Sequence, residues 1–521
     1  MTLVLILAFI QLILAPLSGC KVGPNYKPPA TTMPAAWGEA GPTISSQPTS
    51  RLAGGAATGQ TSQPAWRGTM QPAELADWWK QFHDPVLDQL IGQSIAGNLM
   101  LRQAQAHIRQ ARFERQIVAA NLYPAAAATA SYEHLRFSKN GLGASAVAAT
   151  NPSGATGGGA AGGATGGSGR GSSPNFNLFQ AGFDASWELD VFGGIRRAVE
   201  AADANIGSSI EDQRDVLVSL LGEVALNYVQ LRGFQRQIAI AQENLETQRQ
   251  TLALTQLRLD GGIATELDVD QAAAQVAATE STIQPLETSA RQAIHLLGVL
   301  TGREPMALVE LLAPTSPIPA APPEIPLGLP SDLLNQRADV RRAERQLASA
   351  TAQIGVAVAQ LYPSFSLMGN FGWQSTHLHN LFSSNSIAWS ASPQVSVPIF
   401  QGGALRANIR LHTAIQEQAA SAYEQAVLTA LKDVEDALVA YANEQEHLQK
   451  LADAVAANEK TLALAKLLFD QGRTDFLNVL DAQRSLFIAQ DAQVRSQSAL
   501  STDVVTLYKA LGGGWEAVRQ E

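Results

Sequence analysis

The chain has 521 residues, 46% of them apolar, with a formal net charge of -10. That apolar share excludes a disordered chain, and the acidic balance argues against a nucleic-acid partner, whose phosphates call for a basic face. A single cysteine, Cys20, excludes an intrachain disulfide and a cysteine-built zinc site.

Residues 1–19 read as a targeting segment. Leu3 to Leu17 is almost wholly apolar but too short for an ordinary membrane-spanning helix. It runs into Leu17-Ser18-Gly19-Cys20, which looks like a bacterial lipobox, where small residues precede a cysteine that is acylated and heads the mature chain. One departure is that no Lys or Arg precedes the apolar run. KVGPNYKPP, after Cys20, reads as a Pro-rich tether, and Ala40 to Gln71, rich in Gly, Ser, Thr and Pro, as a linker. Order is expected from WWKQFHDPVLDQLI, Trp78 to Ile91. A continuous helix is expected from Val86 to Leu122, stopped by Tyr123-Pro124.

A period-two pattern follows. Phe179, Ala181, Phe183, Ala185, Trp187, Leu189 and Val191 alternate with Gln180, Gly182, Asp184, Ser186, Glu188 and Asp190, which predicts a strand with one apolar and one polar face. Similar alternation recurs from Phe365 to Gln374 and from Ile387 to Ile399, and a weaker candidate covers Ala125 to Phe137. Two hairpins are therefore expected, the first carrying a Gly/Ala/Ser loop over residues 140–173. Gly157, Gly159 and Gly162 in that loop formally match a dinucleotide-binding fingerprint. They neither follow a clear strand nor open a helix, so the match is low complexity.

A long helix is expected after each hairpin. Leu217, Val224, Leu231, Ile238, Leu245, Leu252 and Leu259 recur every seven residues. Val427, Val434, Tyr441, Leu448, Val455, Leu462 and Phe469 repeat that seam 210 residues later in the same phase. Each helix starts beside a Gly pair (Gly193-Gly194, Gly402-Gly403) and ends at a Gly-containing turn, DGGIATELDVDQAA or DQGRTDFLNVLDAQ. At about 1.5 Å per residue, such a helix is about 100 Å long and must pack along other rods. Returning helices are expected over Glu266 to Leu300, bent or broken at Pro285, and over Asp475 to Leu511. A second half-length helix is expected over Asp332 to Leu361. The halves join through a Pro-rich passage, Pro305 to Pro330.

Four strands cannot close a membrane barrel, whose smallest forms have about eight. The strands alone also fit a soluble sandwich. The lipobox and the long rods favour an oligomer that pools its strands into one barrel and its helices into one tube. His377 and His379 are the only clustered histidines, with no Asp or Glu close by, and read as a surface loop rather than a metal site. No HExxH, GxxxxGK or GxSxG motif and no paired acids suggest an enzyme.

In CKVGPNYKPP, WWKQFHDPVLDQLI, the stretch Leu329 to Leu367 (LPSDLLNQRADVRRAERQLASATAQIGVAVAQLYPSFSL) and FLNVLDAQRSLFIAQ (Phe476 to Gln490), the chain resembles the TolC/OprM-type outer membrane factors. The likeness is to the lipidated, NodT-like branch that serves RND efflux pumps. It covers nearly the whole mature chain, with Ala338 where the family usually has Pro. The resemblance implies an α+β membrane protein: a homotrimer with a twelve-stranded barrel, four strands per chain, continued by a twelve-helix periplasmic tube. Its parts would be a lipoprotein signal over 1–19, a tether and equatorial segment over 20–85 and a first repeat over 86–301. A Pro-rich equatorial connection over 302–331, a second repeat over 332–512 and a tail over 513–521 would follow.

The resemblance further implies an exit duct of a tripartite efflux system, localised in the outer membrane of a Gram-negative bacterium. Its partners would be a periplasmic adaptor (membrane fusion protein), an inner-membrane RND pump and outer membrane lipid. It would pass drugs, solvents or other toxic compounds and carry no cofactor beyond N-acyl and S-diacylglycerol groups on Cys20. In the second tip, Asp481 would line the closed aperture, with Leu477 an aliphatic constriction and Asn478 where some members carry another acid. Converging Asp481 side chains would repel one another and favour cations. Asp268, in the first tip, would tie neighbouring hairpins closed or serve as a helix cap. Asp184, Glu188 and Asp190 would line the lumen. The alternatives are a type I secretion-like channel and a periplasmic adaptor lipoprotein, which would carry one hairpin and a soluble β domain.

Overall fold

The structure is a computed structural model describing residues 21–29, 33–38, 65–67, 75–136, 175–322, 324–326, 328 and 330–517. Cys20 and the leader 1–19, nearly all of the linker 40–71, and the Gly-rich loop 140–173 lie outside the described residues. The main elements are β1 (Ala65–Arg67), α1 (Pro85–Gly97), α2 (Leu99–Ala120), β2 (Ala125–Arg136), β3 (Asn175–Leu189), α3 (Gly194–Asp260) and α4 (Glu266–Leu300). They continue with β4 (Glu324–Pro326), α5 (Ala338–Ala359), β5 (Ser364–Ser375), β6 (Ile387–Ser396), α6 (Ala404–Asp470) and α7 (Phe476–Ala510). The chain divides into two compact units. One comprises Met1–Asn25, Glu114–Ala202 and Thr351–Ala414; the other comprises Tyr26–Phe113, Asp203–Ala350 and Ile415–Glu521.

The first unit holds one antiparallel sheet, ordered β2-β3-β5-β6, so the two hairpins pair through β3 and β5. Its register sorts the side chains by chemistry. Phe183 stands between Ala128 and Phe371, which in turn faces Trp389; Ala181 stands between Ala130 and Trp373, which faces Ile387. The residues between them fall on the other face. There Asp184 pairs with Asn370 and Asn370 with Ser390, while Gln180 lies between Ser131 and Gln374. Thr129 Oγ1 donates to Asp184 Oδ2 at 2.8 Å, and Ser131 Oγ to Gln180 Oε1 at 3.2 Å. Phe183 is 57% exposed and Trp389 73%, so among the described residues no second sheet covers the apolar side of either hairpin, and the sandwich alternative does not hold. At one point β3 and β5 carry no side chains at all: Gly182 faces Gly372, and a Cβ on either would stand within 2.8 Å of the other's Cα.

Asp190 departs from the lumen expectation. Its carboxylate accepts the Ile195 and Arg196 amides at 3.1 and 2.9 Å, capping the start of α3, and pairs with the Arg196 guanidinium at 3.1 Å. Asp184 and Glu188 remain on the polar face. Where α2 meets Tyr123-Pro124 it tightens into a 3₁₀-type end, with Asn121, Leu122 and Tyr123 amides bonded three residues back. The Leu122 carbonyl left over accepts Trp187 Nε1 at 2.9 Å.

The second unit is a helical assembly built on the duplicated seam. Leu217, Val224, Leu231, Val427, Val434 and Tyr441 are all buried. Helices α3 and α6 each run 67 residues, and α4 and α7 each run 35. The core gathers around Trp78, which stacks on Tyr508 with centroids 5.3 Å apart. The segments outside the repeats pack here: β1 pairs in parallel with β4, Trp37 Nε1 donates to the Gly328 carbonyl, and Trp515 lies under the Arg214 guanidinium at 4.3 Å.

Three helix expectations change. Pro285 does not break α4, which continues from Glu266 to Leu300. Pro285 and Ser281, whose carbonyl loses its partner, are both exposed, so solvent accommodates the ring and the carbonyl. The second half-length helix is interrupted at Arg337, whose backbone is extended at ψ 121°. There the guanidinium donates to Asp339, Asp433 and the Ala510 carbonyl, tying α5, α6 and the end of α7 together. Burial alone would raise the Asp339 carboxyl, but the Arg337 bonds outweigh it and hold the group below its ordinary value.

The expected Val86–Leu122 helix is two helices split at Asn98. This buried residue closes one and opens the other: its backbone N–H donates to the Ser94 carbonyl, and its side-chain Oδ1 accepts the Met100 and Leu101 amides at 2.8 and 3.1 Å. Its Nδ2 also donates to the Leu300 carbonyl at 2.8 Å, fastening the break to the end of α4. Asn98→Ala should therefore cost about 2 kcal/mol, since it removes a cap and leaves a buried carbonyl unmet. Asn98→Asp keeps the cap acceptor but sets a buried carboxylate oxygen against the Leu300 carbonyl, so it should cost at least as much; thermal unfolding of the detergent-purified protein measures both.

Candidate gate at the helical tips

Helices α3 and α4 form one hairpin, and α6 and α7 a second. Their turns are built alike. In the first, Gly262 sits at φ 71°, its amide bonds to the Leu259 carbonyl and the Ile263 amide reaches back to Arg258 at 2.8 Å. In the second, Gly472 sits at φ 69°, with Gly472 bonded to Phe469 and Arg473 to Leu468. This paired closure needs a left-handed residue, which is why a glycine recurs 210 residues on.

The starts of the returning helices differ. Thr265 caps α4 with a reciprocal box: its Oγ1 accepts the Asp268 amide, and Asp268 Oδ2 accepts the Thr265 amide at 2.8 Å. Within the chain, Asp268 thus serves the cap. The repeat places Asn478 at the equivalent position. Asn478 does not make the box; its Nδ2 donates to Thr474 Oγ1 at 2.8 Å, and the N-cap Asp475 makes no side-chain cap bond.

Along the start of α7 the side chains divide cleanly. Phe476, Val479 and Leu480 are buried and cluster with Ala272 of α4, with Leu252, Leu462, Ala465 and Phe469 against them. Leu477, Asn478, Asp481, Arg484 and Ile488 all lie exposed, at the spacing of one helix face. Three predicted gate residues therefore share one stripe facing away from the chain's own core. Asp481 is not a bare acid: Arg484 Nη2 donates to its Oδ1 at 2.6 Å, with both side chains about 60% exposed. An acid followed three residues later by Arg on a helix was the available signal.

Sequence reasoning missed Arg258. From the end of α3 it donates to Asp470 Oδ1 at 3.3 Å and lies 4.4 Å over the Phe469 ring, which itself packs 5.4 Å from Phe476. It thus links the two tips inside one chain. Nothing in its local sequence marks it, because its partners lie 211 and 212 residues away. Among the described residues no cluster of His, Cys, Asp and Glu could hold a metal, and no helix is long and apolar enough to cross a membrane.

A sheet apolar on one face and polar on the other, joined in sequence to duplicated coiled-coil hairpins, defines the TolC-like class of outer membrane channels. The chain belongs to the outer membrane efflux protein family, whose model matches residues 90–303 and 329–513. It is 32% identical over 500 residues to the probable efflux pump outer membrane protein TtgC of Pseudomonas putida, covering 96% of this chain and 93% of that one. Nodulation protein T of Rhizobium leguminosarum bv. trifolii is 29% identical over 502 residues, with 96% of each chain covered. The outer-membrane channel OprN superposes with a TM-score of 0.80 at 34% identity, covering 95% of this chain and all of that one. The adaptor alternative is thereby set aside: the chain is an outer membrane channel and not an enzyme.

Arg258→Ala should loosen the turn around Gly472 without unfolding the hairpins. An exposed ion pair and a ring contact together are worth about 1 kcal/mol, so amide exchange there should quicken about fivefold. Hydrogen-exchange mass spectrometry reads it.

Proposed function

We propose that three copies of this chain form the exit duct of a tripartite efflux system of the RND type. The observation that carries this reading is the four-stranded sheet, whose edge strands β2 and β6 have no outer partner among the described residues, with its wide exposed apolar face. A second copy on each edge, repeated until the ring closes, satisfies both edges, and three copies supply twelve strands. The apolar face then meets lipid, and the polar face bearing Asp184, Asn370 and Gln180 lines water. Helical hairpins would close into a periplasmic tube whose tips meet an adaptor and, beyond it, an inner-membrane pump. The relative named as an efflux pump component supports that assignment. Passengers would be drugs, solvents and other toxic compounds, chosen by the pump rather than by the duct.

In this reading Leu477 and Asp481 narrow the resting aperture, Asn478 flanks them, and Asp268 helps hold neighbouring hairpins together while capping its own helix. The exposed stripe on α7 supports the placement, since it has no partner within the chain's own core. Opening is a loosening of hairpins under adaptor contact rather than a chemical step. Cys20 carries the lipid.

Asp481→Ala should raise single-channel conductance in planar bilayers and weaken cation preference, because it removes an acid from the constriction and leaves Arg484 unpaired. Unchanged conductance and selectivity would remove Asp481 from the gate. Cys20→Ser should abolish the acyl mass at the mature N-terminus while some trimer survives in the outer membrane. The trimer itself is tested by heat-modifiable migration of the detergent-purified protein, where a water-soluble monomer would overturn the duct.

A further inference from the structure

The N-terminal tether does not hang loose. Arg197, near the start of α3, is 1% exposed, and its guanidinium is spent on the residues that follow Cys20. Nε donates to the Val22 carbonyl at 3.0 Å, and Nη2 to the Gly23 carbonyl at 3.2 Å and to Asn25 Oδ1 at 2.7 Å. Nη1 bonds both oxygens of Glu200 at 3.1 and 3.0 Å, and the Lys21 ammonium reaches the same carboxylate at 3.3 Å. Val22 also donates its amide to the Phe192 carbonyl, three residues beyond the end of β3. The fit is close: Gly23 sits at φ 86°, where a Cβ would stand 2.5 Å from the Gly355 Cα, and a Cβ on Gly355 would strike Arg197 at 2.8 Å. All these residues belong to the unit that holds the sheet.

We infer that Arg197 is a positioning residue that docks Lys21–Asn25 and so fixes the acylated N-terminus at the foot of β3. The inference rests on Cys20 being the acylated residue. Consecutive Cα atoms are about 3.8 Å apart, so the Cys20 Cα lies within about 8 Å of the Val22 Cα. Val22 is bonded to Phe192, whose ring centroid lies 6.5 Å from that of Phe365 in the last apolar row, where Leu189 pairs with Phe365 and Phe365 with Val395, so acyl chains on Cys20 would start near that row. A lipid held there enters the bilayer together with that face. On a free tether it would enter separately, and its effective concentration at the sheet would fall. The dock thereby couples lipid anchoring to assembly of the sheet in the outer membrane.

The test uses the full-length protein purified from outer membranes. Trypsin spares Lys27, which precedes Pro28, so cleavage between Lys21 and Val22 reports directly on the dock. Wild type should resist; Arg197→Ala should be cut there on the order of tenfold faster or more, because proteolysis follows local opening and a buried paired cation has been removed. Arg197→Lys, which keeps the charge but not the fork, should fall between them. Gly23→Ala spoils the dock from the tether side and leaves Arg197 in place, so it answers the question even where Arg197→Ala fails to fold. In every dock variant that folds, mass spectrometry should still find the acyl group, while heat-modifiable oligomer in the outer membrane should fall. Equal cleavage in wild type and variants, or loss of the dock with undiminished assembly, overturns the inference. An unacylated wild-type N-terminus overturns the assignment of Cys20 and the lipid half of the inference with it, while the cleavage pattern still shows whether the tether docks.

Discussion

Backbone groups at a sheet edge need partners, and hydrocarbon offers none. Among the described residues the sheet of the first unit has four strands, leaving the outer sides of β2 and β6 without a ladder. In water such an edge invites aggregation; in lipid each unmet amide or carbonyl costs several kcal/mol. The proposed closure with further copies would solve both problems at once. The alternating side chains make sense only in that light. A single-layer sheet with Phe183, Phe371 and Trp389 on one face and Asp184, Asn370 and Ser390 on the other has no interior of its own. It is a wall, and what it encloses depends on its neighbours.

The duplicated hairpins are alike in their closure and unlike in their start. Both tips turn through a glycine with the same two backbone bonds, so the duplication preserved the geometry that brings α4 and α7 back along α3 and α6. After that turn they diverge. The first tip keeps a complete reciprocal cap between Thr265 and Asp268. The second gives up that cap, with Asn478 in the acid's place, and instead displays Leu477 and Asp481. The first turn is thus held by its cap, while the second leaves an exposed stripe that the proposed duct would use for contact beyond its own chain. Arg258 ties the two together, joining the end of α3 to Asp470 and Phe469 of α6.

Much of this was legible in residue order because it is periodic. The seven-residue seam repeated at 210 residues located both long helices, and period-two alternation located the strands and their faces. What escaped was non-local. Asn98 interrupts a helical pattern beside Gly97, and its reason for doing so, the Leu300 carbonyl, lies 202 residues away. Arg337 makes a similar break for partners on two other helices. Asp190 read as one more polar residue of an alternating strand, yet it caps the helix that follows. Pro285 illustrates the converse: propensity argued for a break, but an exposed position let the helix continue. The stripe on α7 could be located by pattern, whereas the Arg197 dock could not, since glycine fit and carbonyl direction leave no periodic trace.

The bare meeting of Gly182 and Gly372 sets a limit on how the wall of such a duct can be altered. On the polar face every other row between Gln180 and Glu188 carries at least one side chain from β3 or β5, so its character can be changed by substitution. At this one level the two strands approach too closely to admit even a methyl group on either. A permeating molecule would brush peptide groups between Thr129 of β2 and Ala388 of β6, so selectivity at that level could be tuned only from those two outer strands, not from β3 or β5.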